Sequence, residues 1–357
     1  MGWFSKRAGD AIDPSQELYP LVRGLTDRLE ESLPSNDFPG ERVQLGRHVI
    51  AVGSGKGGVG KTLVSSSLAL RLAELGTRPV VAVDVDLGGA NLHTGLGIKR
   101  PSFGLNRFIL DHAPLNALSE ESGIDGLEFV SGASDIVGLT EFSEGDRARF
   151  LEELQGFREK TLILDLGAGS SLFNLDLFCT ADQGVLVTTT EPTAVQNAYG
   201  FLRAAIYRRL RLLFEGEEAL LDMLNGAMNH RGSEETSSVP ALLHQVARYN
   251  RSAASRIEEI VTGLKIGVVV NMAKASEAAD IAEKLAHVVL QHLRARLDFL
   301  GNVDFNKSVP RSIREWRPFV VHFPKTRAAR KLEGVATRVA NRLDRESGEN
   351  WQPRVGT

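Results

Sequence analysis

Two lysines, a threonine and three aspartates are the residues whose types and spacing could do chemistry on a phosphate ester. The stretch Ala51–Thr62, AVGSGKGGVGKT, contains Gly55-x-x-x-x-Gly60-Lys61-Thr62. This is the pattern of a phosphate-cradling P-loop: Gly55, Gly57, Gly58 and Gly60 let the backbone turn tightly, so that N–H groups from Gly55 through Val59 to Thr62 point at phosphate oxygens. Lys61 is placed to reach the β- and γ-phosphates, and the Thr62 hydroxyl to ligate Mg²⁺. A helix starting here adds its positive end to the same anion. An empty glycine-rich turn is the alternative, disfavoured because a strand-like run precedes the loop and a helical pattern follows it. Lys56 is a second ammonium within the same loop. It could add charge to the same nucleotide or to one held by a neighbouring subunit.

Two further segments supply carboxylates. The run ending in Asp84-Val85-Asp86-Leu87-Gly88-Gly89-Ala90-Asn91 offers a pair of carboxylates at a strand end, expected to point different ways. One could hold Mg²⁺ through water while the other orients the attacking water. Leu162-Ile163-Leu164-Asp165 has the apolar-run-then-acid form of a Walker B strand, with Asp165 supporting Mg²⁺. Gly167 and Gly169 after it permit a loop that moves on hydrolysis.

The elements that must position these residues are legible as apolar runs. His48–Val52, Val80–Val85, Leu127–Val130, Leu162–Leu166, Val185–Thr189 and Ile266–Asn271 read as buried strands, most of them separated by helical segments. Leu63–Leu75 carries Leu68, Leu72 and Leu75 at helical spacing and stops at Gly76. Continuous apolar strands alternating with helices predict an α/β fold, a mostly parallel sheet with helices on both faces. Ligands then gather at the carboxyl ends of the strands.

A length of 357 residues with 42% hydrophobic content allows one large α/β domain or two smaller ones. The formal charge of −3 gives no global pull toward nucleic acid or anionic membrane, though it leaves room for a local basic patch. The one cysteine, Cys179, rules out a disulfide framework or a thiolate cluster within the chain. No apolar run approaches ~20 residues. Residues 1–7 lack a signal-peptide core, and Ser5 stands one place early for myristoylation. The expected address is cytoplasmic.

Residues 1–46 read as a helical extension and linker: a Leu18–Leu33 apolar stripe, then polar 34–40. The nucleotide domain is placed at 47–345, with an insertion at about 215–263 containing a polar loop at 229–239 and helical packing on either side of a polar stretch, 250–255. A C-terminal helix, about 326–345, buries Leu332, Val335, Val339 and Leu343, and its arginines are expected in solvent rather than on a membrane. Residues 346–357 read as a polar tail.

With Lys56 in the loop, Asp84 and Asp86 in DVDLGGANLH, and Asp165 in LDLGAG, the chain resembles the deviant Walker A ATPases of the MinD/ParA superfamily over roughly 47–343. The nearer likeness is to the MinD-like branch that includes the flagellar-number regulators FlhG and FleN. The resemblance implies the P-loop NTPase fold of the SIMIBI class and binding of ATP with Mg²⁺. It implies slow, partner-stimulated hydrolysis and an ATP-dependent homodimer in which Lys56 crosses to the partner's nucleotide. By the same resemblance Asp86 orients the hydrolytic water, Asp84 is its companion acid, and Asp165 is the switch II acid. Thr189–Thr193 lies near the dimer face and Asn271 reads adenine, which its carboxamide suits. Leu300–Asn306 stands where the family usually has proline and then aspartate. Neither the membrane-targeting helix of MinD nor the activation motif of FlhG is recognisable.

These features make an ATP-driven switch the leading expectation, serving spatial or numerical control of flagella or a polar assembly through an unidentified protein regulator or cargo. A ParA-like non-specific DNA binder and a non-hydrolysing ATP-bound scaffold are the alternatives. A membrane surface or non-specific DNA remains open as a template, supported by neither overall charge nor an obvious anchor. Iron–sulfur carriers fall to the single cysteine, and tyrosine kinases of this fold fall to the lack of any tyrosine after Tyr249.

Overall fold

The computed structural model describes residues 46–76, 79–132, 142–229 and 238–347. The helical extension expected at 1–46 lies, apart from Gly46, outside them, as do most of the 229–239 loop and all but the first two residues of the tail. Eight strands form one sheet: β1 (Gly46–Ser54), β2 (Val80–Asp84), β3 (Glu120–Ile124), β4 (Leu127–Val130), β5 (Phe157–Ala168), β6 (Gln183–Thr188), β7 (Ile266–Asn271) and β8 (Leu297–Val303). Their order is β3-β4-β2-β5-β1-β6-β7-β8. All pairings are parallel except β3 with β4. The expected strands are present, and β3 and β8 are additions.

The two-residue period of a strand divides the sheet into two apolar faces. Val49 and Ala51 of β1, Val81 and Val83 of β2, and Leu162 and Leu164 of β5 belong to one cluster. Ile50 and Val52, Val80 and Ala82, and Ile163 belong to the other. Both clusters are shielded from water, which is why the central strands read as unbroken apolar runs.

The second face is covered by α1 (Lys61–Leu75) through Val64 and Leu68, and by α2 (Leu92–Leu96). The first is covered by α3 (Leu105–Leu110), α4 (Glu144–Glu153), α5 (Leu172–Thr180) and α6 (Pro192–Leu213), including an aromatic cluster of Phe108, Phe142, Phe150 and Phe173. The 215–263 region forms α7 (Glu218–Asn229), α8 (Val239–Tyr249) and α9 (Arg251–Thr262), whose Leu220, Leu242, Val246, Ile257 and Val261 enter that same core. The polar stretch at 250–255 is not a break outside the helices. Asn250 is an N-cap whose side chain accepts from the Ala253 N–H, and residues from Arg251 onward are already helical.

The chain then forms α10 (Ala275–Leu293), β8, two short helices α11 (Ser308–Arg314) and α12 (Phe319–His322), and α13 (Arg327–Ser347). Helix α13 runs two residues into the expected tail. Leu332, Val335, Val339 and Leu343 close the second core as expected. Its cations, however, are not merely solvated. Arg342 pairs with Asp298 at 2.6 Å, and Arg338 donates to the Leu300 carbonyl at 2.8 Å. Lys331 donates to Asn302 Oδ1 at 2.9 Å, and both Lys331 and Arg327 stand 3.2 Å from Asp304. Successive turns of helix thus meet alternate residues of β8 and the residue beyond it.

Candidate functional site

The carboxyl ends of the parallel strands carry the reactive residues. Strand β1 delivers the chain into the loop at Ser54, and α1 begins at Lys61 with Gly60 as its N-cap at φ 87°, with no side chain capping it. The first-turn amides are therefore left to an outside anion. Two glycines are required by space. A Cβ on Gly55 would stand 2.0 Å from the Asn197 carbonyl oxygen, and one on Gly60 would stand 2.1 Å from Asn271 Nδ2. Gly57 and Gly58 form an exposed rim, whereas Val59 is buried.

Asp84 and Asp165 are partners in register on neighbouring parallel strands, so their side chains leave the sheet on the same side, the side covered by α1. Both are buried. Lys61 Nζ lies 3.3 Å from Asp165 Oδ1, and the Ser65 hydroxyl donates to the same oxygen at 2.7 Å. Asp84 accepts the N–H of Asp86 at 3.2 Å and that of Leu92 at 2.9 Å. Burial pushes the Asp84 carboxyl up to about 8, with the neighbouring Asp165 charge adding and the backbone donors opposing. Strand alternation could not have parted Asp84 from Asp86, since residues two apart share a face of a strand; instead β2 ends at Asp84 and Asp86 occupies the following turn. That turn brings the Asp86 carboxyl to the β5 loop: a Cβ on Gly167 would stand 3.6 Å from Asp86 Cγ.

The two lysines have different settings. Lys61 is buried against Asp165, whereas Lys56 is partly exposed and donates to Glu191 Oε2 at 3.0 Å and Thr193 Oγ1 at 3.2 Å. Glu191 is the N-cap residue of α6 and Pro192 its first helical residue. Thr62 is partly exposed on the first turn of α1. Asn271, at the end of β7, is buried and donates its amide to the Val59 carbonyl at 2.8 Å. Its visible task is to brace the phosphate loop, a role the sequence did not disclose.

Two other residues of the site, Ser65 and Asn174, escaped sequence reading. Ser65 lies one helical turn after Lys61, a spacing that puts both on one face of α1 and could have signalled it. Asn174 of α5 donates to the Gly167 carbonyl at 3.0 Å and the Gly169 carbonyl at 3.2 Å, fixing the loop after Asp165. Glu191 belongs to the Thr189–Thr193 segment singled out in the sequence, but its pairing with the Lys56 ammonium joins positions 135 residues apart, which no local pattern spans.

The donor set fits a nucleoside polyphosphate with a hard divalent cation. Uncapped helix amides and Lys61 suit phosphate oxygens, and Thr62 with two buried carboxylates suits Mg²⁺. Among the described residues no helix is long and apolar enough to cross a membrane.

The sequence model of the CobQ/CobB/MinD/ParA nucleotide-binding domain matches residues 50–319. The chain is 27% identical over 294 residues to the antiactivator FleN of Pseudomonas aeruginosa, covering 82% of this chain and 85% of FleN. It is 32% identical over 164 residues to the flagellum site-determining protein YlxH of Helicobacter pylori, covering 43% of this chain and 52% of YlxH. The septum site-determining protein MinD of Pyrococcus horikoshii, solved with Mg-ADP, shares the fold at a TM-score of 0.52 and 20% identity over 82% of this chain and 95% of that one. With the glycine loop, the carboxylates and the parallel sheet in the arrangement described, the chain belongs to the CobQ/CobB/MinD/ParA nucleotide-binding family.

Proposed function

We propose that this protein is a Mg²⁺-dependent ATPase that works as an ATP-driven dimerisation switch in the cytoplasm. Its output would be control of the number or position of a cell structure such as flagella. The observation that carries the reading is the divided setting of the two loop lysines: Lys61 buried on Asp165, Lys56 at the surface on Glu191. Bound Mg-ATP supplies the phosphorus centre and compensates the charge of the leaving phosphate. Lys61 and the α1 amides hold the phosphates. Thr62, Asp84 and Asp165 would hold the cation, and Asp86 would orient the attacking water. An exposed ion pair such as Lys56–Glu191 is worth only ~0–1 kcal/mol. Lys56 is therefore free to exchange Glu191 for a phosphate on a second copy, while Asn174 and the Gly167–Gly169 loop register loss of the γ-phosphate. The flagellar output rests on the names of FleN and YlxH.

Light scattering of Asp86→Ala protein, with and without ATP and with and without Lys56→Ala, tests the switch. A dimer that needs both ATP and Lys56 supports it, and monomers throughout reject it. Single-turnover phosphate release by the native chain tests the chemistry separately. Release supports an ATPase, and its absence in the presence of bound ATP and a cognate regulator indicates a scaffold.

A further inference from the structure

On the Mg-ATP reading just proposed, we infer that Ser65 is a positioning residue of the nucleotide site. Its hydroxyl holds the Asp165 carboxylate in place for the divalent cation when Lys61 turns to the phosphates.

Three serines follow one another in α1, Ser65, Ser66 and Ser67, and all are buried. A serine inside a helix ordinarily returns its hydroxyl to a carbonyl of the preceding turn. Two of them do so: Ser66 donates to the Thr62 carbonyl at 2.7 Å and Ser67 to the Leu63 carbonyl at 2.6 Å. Ser65 departs from the pattern. Its Oγ stands 2.7 Å from Asp165 Oδ1 and 3.2 Å from the Lys61 carbonyl oxygen. A hydroxyl has one proton to give. The shorter contact takes it, because a carboxylate is the stronger acceptor.

The two buried acids of the site are anchored by different means. Asp84 accepts main-chain N–H groups, from Asp86 and Leu92, so the fold of the following turn fixes its direction. Asp165 is held by side chains: among the described residues its donors are Lys61 and Ser65, both on Oδ1. Lys61 cannot serve both Asp165 and a nucleotide, since its ammonium is the one placed for the β- and γ-phosphates. Once it leaves, Ser65 is the donor that stays. It sits one turn beyond Lys61 on the same rigid helix, so the carboxylate keeps its aim while the lysine moves. Hydrogen bonds of this kind, made to a ligand rather than to the metal, set how tightly a cation is held.

The test is calorimetry of a non-hydrolysable ATP analogue binding to the full chain, once in EDTA and once in Mg²⁺. The parent should bind more tightly in Mg²⁺. Ser65→Ala should stay within about twofold of the parent in EDTA and fall about 10- to 100-fold below it in Mg²⁺. Ser65→Thr, which keeps a hydroxyl, should recover most of that loss, and Ser67→Ala should match the parent in both conditions. Thermal melts matching the parent show that the variants fold. Ser65→Cys, close in size but a weak donor, replaces Ser65→Ala if the latter does not. Equal binding by parent and Ser65→Ala in Mg²⁺ would overturn the inference and leave the Mg-ATP reading standing. So would equal losses in EDTA and Mg²⁺, or the same loss in Ser67→Ala, because either marks general damage to α1. A parent that gains nothing from Mg²⁺ would sink the Mg-ATP reading itself, and the role of Ser65 with it.

Discussion

The carboxyl groups of Asp84, the last residue of β2, and Asp165, its partner in register on parallel β5, are both buried, with the Lys61 ammonium on Asp165. Two acids enclosed together cannot both ionise cheaply unless positive charge accompanies them.

The first prediction concerns pH. The folded protein holds the Asp84 proton up to about 8, whereas an unfolded chain releases it near 3.8. Between those values the native state binds more protons than the unfolded state, so stability falls as pH rises. The contribution is fully present below the lower value and lost as pH passes through the upper one. Melting the nucleotide-free protein in EDTA across this window should show a decline that Asp84→Asn flattens, whatever its effect on absolute stability. An unchanged slope in Asp84→Asn would assign the decline to another group.

The second prediction concerns the brace under the phosphate loop. Asn271→Ala leaves the Val59 carbonyl without its donor in a buried place, a loss of about 1–3 kcal/mol. Asn271→Asp is worse, since it puts an acceptor and a negative charge against a carbonyl beside the phosphate site. ATP binding, followed by calorimetry, should weaken about tenfold or more in Asn271→Ala and further in Asn271→Asp.

A third prediction follows from the fork between α5 and α6. Arg208 Nε donates to Asp176 Oδ1 at 2.7 Å and its second nitrogen to Oδ2 at 3.1 Å, both side chains being buried. Removing either partner alone strands a charge and should cost about 3–5 kcal/mol, while replacing both by apolar residues of similar volume should cost much less. Urea unfolding of the two single variants and the double variant measures the difference. Additive losses would mean that the pair is not coupled.

The fourth prediction is chemical. Burial pushes the Cys179 thiol up to about 12, and its Sγ donates to the Ala205 carbonyl at 3.1 Å. A disulfide reagent at mildly alkaline pH should therefore label the native protein at least ~100-fold more slowly than the urea-unfolded chain, because only the thiolate reacts.

How far the sequence disclosed this molecule depends on whether the information was local. Val80–Asp84 and Ile266–Asn271 were legible because strands buried on both faces need apolar residues throughout. Strand β3, Glu-Glu-Ser-Gly-Ile, has no such signature, because it is an antiparallel edge strand half open to water. Strand β8 hides in the same way, interrupting its apolar residues with Asp298, Gly301 and Asn302. The phosphate loop announced itself through glycine spacing, since backbone approach demands glycine at fixed positions. The Lys56–Glu191 contact and the Asn271 brace could not, because each joins segments that only the folded sheet brings together. The partnership of Asp84 with Asp165 depends on β2 lying beside β5, a fact of strand order rather than of either motif.

The rungs between α13 and β8 have a consequence for assembly. The last strand on that side has its side chains roped to a helix and one main-chain carbonyl already claimed by an arginine, so it makes a poor template for another chain's strand. The opposite border is a five-residue ribbon carrying Glu120 and Glu121, and adjacent acids repel a like neighbour. With both margins of the sheet stoppered, copies of this protein are steered away from growing into open-ended fibres.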